Sequence, residues 1–150
     1  MRKPLAIGVA TVAVVLSLGL AACGSDDSSS DEALSNADLI AQADAICTDY
    51  DEQLNVLQEE SGLSSDSPKE DVVAYVSDDI VPLYQDQVEE LKNLEPNEED
   101  ADAYNDIVDT LETELQAVED DPEAAVDSEN PFAGATEKAA AFGLEVCGSN

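Results

Sequence analysis

Apolar residues fall along this chain in one almost unbroken run and then in four periodic stripes. The run is Leu5 to Leu20, without a single charge. Gly24 to Ser35 follows, rich in Ser and Asp and free of apolar periodicity. From Asn36 onward Leu39, Ile40, Ala43, Ile46, Cys47, Tyr50, Leu54 and Leu57 recur every three or four residues. That spacing predicts a helix with one buried face, and Asn36 is a good cap for its start. Gly62 and Ser64-Ser65-Asp66 end it.

Ser67-Pro68-Lys69-Glu70 reads as a capping box with proline at the first helical position. The second stripe is Val72, Val73, Val76, Ile80, Leu83, Tyr84, Val88, Leu91 and Leu94. Pro82 lies in its middle, where it removes a ladder bond and crowds the preceding turn. The stripe keeps phase across Pro82, so a kinked helix is expected rather than two separate ones. Glu95-Pro96-Asn97 makes a turn with Asn97 as cap. Ala101, Tyr104, Ile107, Val108, Leu111, Leu115 and Val118 then form the third stripe. Asp120-Asp121-Pro122 interrupts it, and Glu123 to Val126 adds a short helical turn. Asn130-Pro131 starts the fourth stripe, through Phe132, Ala135, Ala139 and Phe142, with Gly143 suited to the left-handed closing position. Leu144 to Cys147 is expected to run on extended. Four stripes on short connections predict an all-α fold, an up-down-up-down four-helix bundle with a kinked second helix.

Met1-Arg2-Lys3 gives the apolar run a cationic start, the order of a secretory signal peptide. Residues 5 to 22 barely reach the ~20 apolar residues of a membrane span, and Pro4 and two glycines weaken that alternative. Leu20-Ala21-Ala22-Cys23 resembles the lipobox of bacterial lipoproteins. The resemblance implies a diacylglyceryl thioether on Cys23, cleavage between Ala22 and Cys23, and acylation of the new amine with a palmitate-like chain. The organisation expected is therefore a signal peptide at 1–22, a lipidated Cys23 with a flexible acidic linker at 23–35, and a helical domain at 36–150. Gly24 to Ser35 as a random chain spans roughly 17–21 Å, which holds the domain just clear of the membrane surface.

Charge sharpens the picture. The whole chain carries −31. Removing residues 1–22 takes Arg2 and Lys3 and no acid, leaving Lys69, Lys92 and Lys138 against 36 acidic residues, a net −33. Such a surface argues against nucleic acid and anionic membranes as partners, since both need basic patches. It favours cations or a basic protein partner, and it is compatible with a saline habitat. Self-repulsion is screened by salt over ~8–10 Å.

With Cys23 acylated, Cys47 and Cys147 remain as an even pair in an oxidising compartment, which predicts a disulfide. No Cys-x-x-Cys and no basic neighbour supports a redox thiol instead. Ala43-Asp44-Ala45-Ile46-Cys47, Leu91-x-x-Leu94-Glu95-Pro96 and Phe142-Gly143-Leu144-Glu145-Val146-Cys147-Gly148 resemble a group of small actinobacterial helical lipoproteins. That resemblance implies the same fold and disulfide, and no activity. The present chain departs from the group in its acidity.

No histidine is present, so Ser-His and Cys-His nucleophiles and histidine-bearing zinc sites are excluded. Paired carboxylates for glycoside hydrolysis are not excluded by residue type, but the acids fall on polar helix faces and the few aromatic residues on apolar stripes. No enzymatic activity and no cofactor are expected. Oxygen ligands for Ca²⁺ gather around Asp100, Asp102 and Asp106 and at Asp120 and Asp121, without the spacing or central glycine of a calcium loop. Tyr75 and Tyr84 flank Pro82 and are candidate ligand residues together with it. The function expected is that of a lipid-anchored protein on the extracytoplasmic face of the cell membrane, acting as an interaction or accessory protein with an envelope partner. The alternative is a lipoprotein that binds a solute or cations such as Ca²⁺.

Overall fold

The computed structural model describes residues 33–149. The expected signal peptide, the cleavage and lipidation sites at Ala22 and Cys23, and most of the linker lie outside these residues. Among them the fold is all-α. The helices are α1 (Asn36–Ser61), α2 (Lys69–Tyr75), α3 (Val81–Lys92), α4 (Ala101–Asp120), α5 (Pro122–Asp127) and α6 (Ala133–Phe142). A π-helical turn, Val76–Ile80, joins α2 to α3.

The domain starts slightly earlier than the pattern of apolar residues indicates. Leu34 pairs with the α3–α4 turn, its N–H donating to the Glu95 carbonyl at 2.7 Å and its carbonyl accepting from Asn97 N–H at 3.2 Å. Ser35, rather than Asn36, caps α1, its hydroxyl accepting from Asp38 N–H. Asn36 instead donates its amide to Asp100 at 3.0 Å. Asn97 lies one turn before α4 rather than at its cap, which is Asp100; its side-chain oxygen accepts from the N–H groups of Glu99 and Asp100 in the turn leading into the helix. The linker therefore ends in a folded attachment, with the chain entry fixed beside the start of α4.

Pro82 does not break the second helical run. Lys69 to Lys92 is helical throughout, with Pro82 exposed in the first turn of α3. The adjustment falls one turn earlier, where Val81 N–H bonds the carbonyl of Val76, five residues back. Widening to a π turn shifts the hydrogen-bond ladder by one residue, a local way to absorb a position that has no N–H to give. Ser67 also departs from its expected role: its hydroxyl accepts from Ser64 N–H within the preceding turn, and α2 has no side-chain cap.

α4 is the centre of the packing. It lies against α3 on one side and α6 on the other, α1 packs on α3, and α5 packs against α4 and α2. The core gathers Leu39 and Ala43 of α1, Val81, Val88 and Leu91 of α3, Tyr104, Ile107, Val108, Leu115 and Val118 of α4, and Ala139 and Leu144. Tyr104 is fully enclosed, and its hydroxyl donates to the Leu91 carbonyl at 2.9 Å. That bond pins the last turn of α3 to α4. Its ring lies tilted against Phe142, 6.2 Å between centroids.

Acidic side chains also act as fasteners. Glu114 of α4 accepts from Gly134 N–H at 2.8 Å and from Ala135 N–H at 3.0 Å, capping the start of α6 from a neighbouring helix. A Cβ at Gly134 would come within 2.6 Å of the Glu114 carboxylate, so the glycine lets the cap approach. Replacing Glu114 with Ala is expected to cost about 1 kcal/mol, the usual value of a lost N-terminal cap; urea unfolding measures it. Each described lysine joins two elements: Lys69 to Asp127 at 2.9 Å, Lys138 to Asp106 at 2.7 Å, and Lys92 to Glu112. All six partners are exposed, so solvent screening leaves each pair little net contribution to stability.

The C-terminal segment is not extended. Gly143 takes a left-handed conformation (φ 107°) and closes α6, with Leu144 N–H returning to the Ala139 carbonyl. Residues 145–148 then turn around the carboxylate of Asp44 on α1. It accepts from the N–H groups of Glu145 and Val146 at 2.9 Å each and of Cys147 at 3.3 Å. The turn delivers Cys147 to Cys47, one helical turn beyond Asp44, and the disulfide forms with the Cα atoms 5.4 Å apart.

Candidate functional site

The helices do not close completely on one another. Between α1, the π turn, α3, α4 and α6 lies a cavity of about 460 Å³. This is within the ~300–1,000 Å³ of small-molecule sites and far above the voids of an ordinary packed core.

Its origin is visible in α1. The buried residues of that helix are Leu39, Ala43, Cys47 and Tyr50, all in its first half. The apolar stripe runs on to Leu54 and Leu57, which are only half-buried. Beyond Tyr50 the helix continues with its apolar face incompletely covered, and the space beneath Leu54 is the cavity. Leu54, Ile80, Leu83, Ile107, Leu111 and Phe132 supply much of its apolar wall. Gln58, Glu129 and Asn130, all exposed, line it where it meets solvent.

A few polar groups interrupt the wall. Tyr75 presents a hydroxyl that is shielded from solvent and has no hydrogen-bond partner. Gln87 is 6 % exposed, the buried polar residue of the described core, and it too lines the cavity. Tyr50 donates its hydroxyl to Glu90 at 3.1 Å. Burial, with the Glu90 hydrogen bond and charge, pushes its phenol up to about 12. Burial also raises Tyr84, with Asp51 contributing, and Tyr75, with Asp79 contributing. All three phenols remain protonated donors through the physiological range. Tyr84 stacks on Phe132, centroids 4.5 Å apart and planes 21° from parallel.

Of the residues singled out from sequence, Tyr75 and Tyr84 both lie on the cavity and Pro82 does not. The proline is exposed, while Ile80 and Leu83 on either side of it line the cavity. The disulfide residues Cys47 and Cys147 also line the cavity and help shut one side of it.

The acidic candidates for Ca²⁺ are dispersed into structural roles. Asp100 accepts from Asn36 and Asn97, Asp106 pairs with Lys138, Asp120 accepts from Gln116, and Asp121 caps α5 at Ala124 N–H. Asp102 lies in the first turn of α4, exposed. Among the described residues no group of three or more Cys, Asp or Glu side chains is placed to hold a metal ion. No described helix is long and apolar enough to cross a membrane.

Sequence patterning left Gln87, Leu54 and Phe132 unmarked as site residues. Gln87 had a signal, a polar residue directly before Val88 on the buried side of α3. The other two read as ordinary core positions. No protein-family model, curated protein or solved structure matches this chain.

Proposed function

We propose that this protein is a solute-binding lipoprotein: an up-down-up-down four-helix bundle, anchored through Cys23 to the extracytoplasmic face of the membrane, that holds a small, largely apolar molecule between its helices. The observation that carries this reading is the 460 Å³ cavity with apolar walls and a shielded, unpartnered Tyr75 hydroxyl. A buried hydroxyl without a partner costs ~1–3 kcal/mol, and a ligand oxygen accepting from it recovers that cost. The ligand is therefore an apolar body bearing at least one acceptor oxygen. An accessory role with an envelope partner is compatible with this reading, since a carrier on a tether hands its cargo to something. No catalytic step is assigned to it.

Octanol is a suitable first probe, having an apolar chain and one acceptor oxygen. The full chain in phosphatidylcholine nanodiscs is expected to melt higher as octanol is added, by an amount following ligand linkage, ~2.7 kcal/mol at a hundredfold excess over Kd. Ala135→Phe places a ring into the cavity and is expected to abolish the response while the protein stays folded. Leu54→Trp does the same from the half-exposed side should the first variant fold poorly. An octanol response unchanged in both variants contradicts the proposal.

A further inference from the structure

We infer that the ligand is a single uncharged chain with an oxygen-bearing polar group at each end, one bonded by Tyr75 and the other by Gln87. The inference rests on the solute-binding reading above and adds the ligand's second polar group, its length and its neutrality. The Tyr75 hydroxyl is shielded from solvent and bonds nothing among the described residues. Gln87 is 6 % exposed and lines the same cavity, and its side-chain amide bonds no described residue. Buried polar groups are costly to leave without partners. Two of them on one cavity therefore ask for two polar groups in what fills it.

The helices set the distance between those groups. Tyr75 and Gln87 both lie on the helical run from Lys69 to Lys92, and at 1.5 Å of rise per residue their Cα atoms are about 18 Å apart. Along α1 the cavity is lined from Cys47 to Gln58, about 16 Å by the same rise. Two helices thus give the cavity much the same length. Spread over it, 460 Å³ leaves a cross-section of roughly 25–30 Å². That is room for one hydrocarbon chain and not for two, since packed carbons keep ~3.5–4.0 Å between them. An extended chain advances about 1.2 Å per atom, so with a hydrogen bond of ~2.8 Å at each end the span takes about eight to twelve carbons.

Both recognising groups are uncharged. The Tyr75 phenol, raised by burial, stays a donor, and the Gln87 amide can donate or accept. An ammonium has no lone pair to accept from the Tyr75 hydroxyl. A carboxylate would meet a domain with three lysines against 36 acids. At Gln87 any full charge would exchange its water for a neutral amide, which costs more than the hydrogen bond returns. Hydroxyl, carbonyl or amide ends fit both places.

The test compares α,ω-alkanediols with 1-alkanols of equal carbon number, from the hexane to the tetradecane series. Each is titrated into the full chain in phosphatidylcholine nanodiscs and followed by saturation-transfer NMR, with free ligand fixed by matched empty nanodiscs. Diol affinity is expected to peak at about eight to twelve carbons, where the diol binds at least as tightly as the alcohol. Gln87→Leu is expected to weaken that diol roughly tenfold and leave the alcohol unchanged, because the second hydroxyl then enters without a partner. Gln87→Met keeps the test should leucine fold poorly. Tyr75→Phe is expected to weaken the same diol by a similar factor.

A diol that binds more weakly than its alcohol at every length overturns the inference and leaves the solute-binding reading standing. So does a diol-to-alcohol ratio that is the same in the Gln87 variants as in the unaltered protein, or a diol affinity that rises with length and never peaks. Failure of both series to bind overturns both readings together.

Discussion

Replacing Cys47 and Cys147 with Ser is expected to produce the largest loss of stability available from any pair of side chains here. The bridge spans 100 residues of chain, and the chain-entropy account gives ~4.7 kcal/mol for a loop of that size. Domains of this kind have only ~5–15 kcal/mol in total, so the variant should melt roughly 15 °C lower or more. The loss should be greatest at low salt, because the same domain carries strong self-repulsion that salt screens. Asp44 shares the task, its carboxylate accepting from the N–H groups of 145–147 beside the bridge. Removing it in the disulfide-free background should therefore free the C-terminal turn, whereas removing it with the disulfide intact should cost less. Equal costs in the two backgrounds would show that the bridge and the carboxylate act independently. Melting curves of the four proteins across a salt series decide the matter.

Cys23→Ser is expected to have an equally large effect on location. The chain with Cys23 intact should show, by intact mass, the loss of residues 1–22 and the gain of acyl chains, and should partition into detergent. Two or three acyl chains anchor firmly, because each buried CH₂ contributes ~0.8 kcal/mol. The variant cannot form the thioether and should show neither the acyl mass nor the same maturation. A Cys23→Ser protein that matures to the same mass and remains membrane-bound would contradict the lipid anchor.

Much of the fold was legible because helical periodicity reports which face is buried. The stripes beginning at Leu39, Val72, Ala101 and Phe132 all became helices, and Gly143 closes the last of them as its position implied. The errors fall where a tertiary contact overrides a local rule. Leu144 to Cys147 looked extended because nothing local bends it; the bend comes from Asp44, about a hundred residues away and one acid among 36. Glu114 is hidden for the same reason.

The site was less legible than the fold. Tyr75 and Tyr84 stood out as aromatic residues near a proline, yet they meet at a cavity that Pro82 does not line. A cavity is a shortfall of side-chain volume summed over several helices, and no single residue announces it. Leu54 illustrates this: in sequence it is one more apolar position at helical spacing, and only the packing shows that nothing covers it fully.

The central claim is that the space between the helices is a binding site, and methyl NMR of the full chain titrated with octanol tests it most directly. The account predicts saturable shifts at the methyl groups of Leu54, Ile80, Leu83, Ile107 and Leu111, and none at Val56, which is 53 % exposed on the outside of α1. Unchanged cavity methyls at high octanol, or shifts at Val56 alone, would contradict it.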